Sequence, residues 1–105
     1  MFYVMKATLL YKARITLLYK ARIEVSVDAF AELVLWELPV PSAGSKHKYK
    51  YRLALVINGE PVMRYDNERG KGDHRHIGGK EEAYVFTTPE KLFADFTKDI
   101  ERLIK

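Results

Sequence analysis

An eight-residue segment, TLLYKARI, occurs twice in immediate succession, at residues 8–15 and again at 16–23. No other feature of the chain limits its fold as tightly. From Leu9 to Val27 every odd position is apolar or tyrosine: Leu9, Tyr11, Ala13, Ile15, Leu17, Tyr19, Ala21, Ile23, Val25 and Val27. The even positions are mostly polar, among them Lys12, Arg14, Lys20, Arg22 and Glu24. An alternation of period two is the mark of a strand. Eight is an even number, so both copies keep the same face inward. In a helix the second copy would be rotated by about 80° and the apolar stripe would split. The period also lies outside the roughly 20–50 residues of ordinary solenoids and arrays. It reads as a local duplication, natural or engineered.

A single strand over Leu9–Val27 would span roughly 60 Å, more than the width of a small domain. Neither copy carries the Gly, Asn or Pro that a tight hairpin requires. One copy is therefore expected to overhang, to bulge, or to pair with a second chain as a strand-mediated homodimer.

With 105 residues the chain is expected to form one domain over 1–105 with a single core. Its 48% apolar and 30% charged content fits a folded globular protein rather than a disordered one. No apolar run approaches the roughly 20 residues of a membrane span, and no membrane partner is expected. The start, MFYVMKATLLYKAR, has no uninterrupted apolar stretch and no small-residue cleavage site. No secretory signal is expected, and the cytoplasm is the expected compartment. The absence of cysteine excludes disulfides, thiolate zinc sites and a cysteine nucleophile.

The net charge of +4 is modest, but it is banded. Residues 1–23 hold five bases and no acid, and residues 24–37 hold four acids and no base. Residues 46–52, KHKYKYR, are again basic, with Lys46, Lys48, Lys50 and Arg52 on one parity and Tyr49 and Tyr51 on the other. Such a stripe can track a phosphodiester backbone, although a solvated sheet face has the same pattern more often. Tyr49, Tyr51 and Trp36 read as packing residues.

The remaining elements follow from pattern. Residues 31–38 form a strand ended by Pro39 and Pro41, and residues 48–58 form another. Asn58-Gly59 is a strong hairpin signal leading into a strand at 62–66. Residues 67–82, NERGKGDHRHIGGKEE, hold four glycines and almost nothing apolar, and read as a loop. A short strand is expected at 83–87. Thr88 then caps a helix over 89–104 that starts with Pro89 and carries a Leu92, Phe93, Phe96, Ile100 stripe. The fold class is α+β: a twisted antiparallel sheet of about five strands with one C-terminal helix on a face.

The Gly/His loop is the segment with chemistry in it. RNA can be cleaved without metal when its own 2′-OH attacks the neighbouring phosphate. That reaction needs a base, an acid and positive donors on the phosphate. His74 and His76 can carry protons near neutral pH, and Arg75 lies between them. In an extended segment the two histidines share a side and Arg75 faces the other. Arg69, Lys71 and Arg64 could complete a phosphate clamp, and Arg52, Lys50 and Lys48 could guide the backbone. The competing chemistry is a metal site, in which His74 and His76 join Asp73 or Asp66. The bland alternative is a solvated loop with incidental histidines, since short His motifs often match by chance. There is no phosphate-loop motif and no serine nucleophile elbow.

Taken together, YKYRLALVINGE at 49–60, YDNERGKGDHRH at 65–76, MKATLLYKARI at 5–15, ELVLWELPVP at 32–41 and TTPEKLFADF at 87–96 resemble the TumE family of small bacterial and archaeal toxins. The resemblance covers nearly the whole chain, and the second TLLYKARI departs from it. It implies the toxin of a toxin–antitoxin pair, held inactive by an adjacently encoded antitoxin with a DNA-binding domain. It also implies a ribonuclease that stops translation. On that reading His74 and His76 move protons, and Asp73 belongs to the same catalytic group. Arg75, Arg69 and Lys71 stabilise phosphate charge, and RNA is the substrate, with no cofactor. A non-catalytic RNA- or ribosome-binding module, or a nucleotide-handling enzyme using the same loop, is the alternative.

Overall fold

A computed structural model of the protein describes residues 15–104. Six strands, β1 (Thr16–Ser26), β2 (Ala29–Glu37), β3 (Tyr49–Ile57), β4 (Glu60–Glu68), β5 (Gly72–Ile77) and β6 (Lys80–Ala83), form one sheet in chain order. All neighbours are antiparallel, and helix α1 (Pro89–Leu103) lies across one face. The fold class is α+β, with one strand more than the pattern predicted. Most of the first TLLYKARI copy, including Leu9, Tyr11 and Ala13, lies outside the described residues. The second copy begins β1 at Thr16.

Within β1 the register against β2 shifts twice, at Leu18 and again at Val25. Leu17 pairs with Trp36 but Tyr19 pairs with Leu35, so Leu18 is an extra residue and Leu17 turns to the opposite face. Beyond this bulge Tyr19, Ala21 and Ile23 stand opposite Leu35, Leu33 and Ala31 on the helix side. Tyr19 meets Phe93 of the helix at 5.5 Å between ring centroids.

The core lies between helix and sheet. Leu33 and Leu35, Tyr51, Leu53 and Leu55, and Met63 and Tyr65 are the inward residues of three successive strands. They close on Leu92 and Phe96, both fully buried. Asn58 and Gly59 both take positive φ, 52° and 77°, as the two-residue turn that matches strand twist demands.

The helix starts as expected. Thr88 Oγ1 accepts a hydrogen bond from the Lys91 N–H at 3.1 Å, with Pro89 at the first helical position. Thr88→Ala should cost about 1 kcal/mol in urea unfolding. A change below a few tenths would show that the cap contributes nothing.

The segment expected to be a loop over 67–82 folds instead into the end of β4, all of β5 and most of β6. Its glycines sit in the turns: Gly70 and Gly72 (φ 84° and 78°) connect β4 to β5, and Gly78-Gly79 connects β5 to β6. Few apolar residues are needed here, because both faces of β5 carry polar residues that pair with polar partners on neighbouring elements. Residues 84–88, expected to be mostly strand, are an irregular connection. Tyr84 and Phe86 pack against the core while Val85 is 80% exposed.

Candidate functional site

Along β3, β5 and β4 from Arg64 onward the even-numbered residues face away from the helix, onto a sheet face that α1 does not cover. Register brings them into rows. Arg52 stands opposite Asp66, and Asp66 opposite His74. In the next row Arg64 stands opposite His76, and His76 opposite Glu81 of β6. Lys50 shares this face beside Trp36 of β2. The basic stripe of β3 and the two histidines therefore occupy one continuous surface.

The centre of this surface is tightly drawn. His74 is buried, and its Nε2 lies 3.1 Å from Asp66 Oδ1 and 3.7 Å from Glu81 Oε2. His76 Nε2 lies 3.6 Å from the same Glu81 oxygen, and the two imidazole rings meet edge-on at 5.5 Å. Arg64 Nε is 3.1 Å from the other oxygen of Asp66. Although these atoms are close, His74 Nε2, Asp66 Oδ1 and Arg64 Nε are all buried and none is aligned in a hydrogen bond. Among the described residues, Asp66, His74 and His76 each present a ligand atom within 4.8 Å of the others and form a group that could hold a metal ion.

The other residues singled out from sequence are placed elsewhere. Arg75 faces the helix, as alternation requires once the histidines face away. Its guanidinium is hydrogen-bonded to Tyr65 Oη at 3.1 Å, Asp99 Oδ2 at 3.0 Å and Glu82 Oε1 at 3.0 Å. The Tyr65 bond holds the Arg75 pKa above its ordinary value against the opposing effect of burial. Burial and the hydrogen bond to Asp99 likewise push Tyr65 upward. In this arrangement Arg75 ties sheet to helix and does not share a surface with His74 and His76.

Asp73 also faces the helix side. Its Oδ2 accepts from Tyr51 Oη at 2.6 Å and lies 2.8 Å from His47 Nε2. His47 in turn accepts from the Tyr49 N–H through Nδ1 and stacks on Phe86 at 4.0 Å. Burial first, then the bond to Asp73, pushes the Tyr51 phenol well above its ordinary range. Asp73 thus sits apart from the histidine pair, in a cluster satisfied by its own partners. His47 was not singled out from sequence, because nothing near it in the chain marks its contact with β5.

Arg69 and Lys71 are exposed in the β4–β5 turn. Arg69 lines a cleft of about 670 Å³ with Trp36, Leu38, Val40, Pro41 and Lys50. Trp36 is therefore half-exposed on the open face rather than a core residue. Lys50 Nζ donates to the Asn67 carbonyl at 2.7 Å, and Lys48 is exposed just before β3. The glycine loop and the basic strand meet here: Gly70 N–H donates to the Ala43 carbonyl at 2.6 Å, closing the 38–48 connection over the turn.

The open face therefore brings together His74, His76, Arg64, Arg52 and Lys50, adds Asp66 and Glu81, and leaves out Asp73 and Arg75. Glu81 is the residue that sequence did not reveal, since its place depends on β6 existing.

No described helix is long and apolar enough to cross a membrane. No curated protein and no solved structure shows a significant match to the chain. A family model described as Toxin TumE matches residues 3–104, all but the first two residues and the last. The chain belongs to the TumE toxin family, and its role is that of a toxin.

Proposed function

We propose that this toxin is a ribonuclease whose substrate lies along the open sheet face, in the cytoplasm, where it inhibits translation. Its antitoxin is an adjacently encoded protein with a DNA-binding domain. The observation that carries the reading is the shared surface of His74, His76, Arg64, Arg52 and Lys50. Guanidinium and ammonium groups give phosphate contacts, and the half-exposed Trp36 ring in the adjoining cleft offers a stacking surface for a base. A strand of RNA running from Trp36 past Lys50 and Arg52 would bring a phosphodiester to Asp66 and the histidines.

The geometry of the histidines bears on whether cleavage is metal-free or metal-assisted. In a metal-free reaction acid and base flank the scissile phosphate from opposite sides. Here both Nε2 atoms converge on one oxygen of Glu81, at 3.7 and 3.6 Å. Convergence on one point favours the metal-assisted form of the same cleavage.

The test is binding and cleavage of a labelled RNA by purified protein. Lys50→Ala combined with Arg52→Ala should weaken binding across RNA sequences and lower the salt slope of log K by about 2. RNA that is bound but never cleaved would make the protein a binding module. RNA that is neither bound nor cleaved would remove this face as an RNA surface.

A further inference from the structure

We infer that Asp66, His74, His76 and Glu81 form a binding site for a divalent transition-metal ion, of which zinc is the best fit. The site is built by register. The turn at Gly70 brings Asp66 opposite His74, and the Gly78-Gly79 turn brings Glu81 opposite His76. Two imidazole nitrogens and two carboxylate oxygens from three adjacent strands make a donor set suited to zinc.

Asp66, His74 and His76 offer ligand atoms within 4.8 Å of one another, and Glu81 lies beside both histidines as the fourth ligand. Ligand bonds of 2.0–2.1 Å in a tetrahedral site place neighbouring ligand atoms about 3.3 Å apart. The observed separations are 3.1 Å for His74 to Asp66, 3.7 Å for His74 to Glu81 and 3.6 Å for His76 to Glu81. Glu81 stands outside that three-residue group, and its exposed side chain would swing inward to complete the set.

Burial supplies an independent argument. The His74 side chain is only 5% exposed, yet its Nε2 makes no aligned hydrogen bond, and neither does Asp66 Oδ1 beside it. Buried polar atoms without partners are costly, and an ion between these two would satisfy both. Arg64, held against the second oxygen of Asp66, fixes that carboxylate so that Oδ1 points inward. A dication with two carboxylates is neutral overall, and Arg64 leaves the site positive toward a phosphodiester. Only that last link, to RNA, rests on the ribonuclease reading; the site itself rests on the donor geometry.

The experiment is titration of the EDTA-stripped full chain with Zn²⁺ by isothermal calorimetry, with melting temperature recorded beside it. One equivalent should bind and raise the melting temperature. His76→Ala and the near-isosteric Asp66→Asn should each weaken binding by about 100-fold or more. Glu82→Gln, on the other face of β6, should bind as wild type. No binding by the wild type, or equal binding by folded His76→Ala and Asp66→Asn, would overturn the site. Zinc bound without RNA cleavage would leave the site standing and remove the ribonuclease reading. Full cleavage in EDTA with no zinc bound would do the reverse.

Discussion

Replacing His76 by alanine is expected to lower RNA cleavage by about 10²- to 10⁴-fold and to abolish growth arrest on induction, with the fold intact. The magnitude is that of losing a side chain that acts at the reacting centre. His76 is the accessible member of the pair: its side chain is 32% exposed, against 5% for His74. Its loss opens no large cavity, so a fall in activity would report chemistry rather than unfolding. His74→Ala is the poorer probe, because it removes a buried side chain and leaves a cavity beside Asp66. Unchanged cleavage by folded His76→Ala would show that the histidine pair does not act on the substrate.

The largest stability effect is expected at Asp99, a buried carboxylate on the sheet-facing side of α1. It accepts from Tyr65 Oη at 2.5 Å and from Arg75 at 3.0 Å through one oxygen, and pairs with Arg102 through the other. Asp99→Ala leaves the buried phenol without an acceptor and removes a charge partner from Arg75. Arg75 is partly exposed and keeps Glu82, so the cost is mainly that of the unsatisfied buried phenol with part of a charge pair. That is about 2–3 kcal/mol, still a large share of a small domain's stability. Urea unfolding should show a lower midpoint with an unchanged slope. Asp95 gives the contrast. Burial acts to raise its pKa, but bonds from Lys91 and Tyr84 outweigh that and hold the carboxyl below its ordinary value. Lys91 is exposed, so its pair contributes much less. If Asp99→Ala and Asp95→Ala cost the same, the buried network is not what fixes the helix.

The same residue, Arg75, shows how far sequence could be read. Alternation correctly separates Arg75 from His74 and His76, but it does not say which face meets the helix. That depends on Asp99, twenty-four residues away and marked only by an acid at an inward helical position. The strand character of the repeat, the Asn58-Gly59 turn and the capped helix were legible because each is a local pattern. β5 was not, since its helix-facing residues Asp73 and Arg75 are polar and satisfied by long-range partners. A signal was nevertheless present. A turn centred on Gly70 sets Asp66 against His74 and Arg64 against His76, and a two-residue Gly78-Gly79 turn sets His76 against Glu81. Glycines read as marks of a loop were the two turns that assemble the site.

Sequence also placed Trp36 in the core by its alternation with Val34 and Leu38. Both faces of β2 carry apolar residues, so parity alone could not tell them apart. Pairing with Lys50 puts Trp36 on the open face.

The most direct measurement is cleavage of an end-labelled RNA by EDTA-stripped protein, before and after adding back one equivalent of Zn²⁺, beside His76→Ala treated identically. Cleavage that is weak in the stripped wild type, restored by zinc and absent from the variant in both states is the expected result. Cleavage by stripped protein that zinc does not increase and the variant does not lose would contradict a catalytic centre at Asp66, His74 and His76.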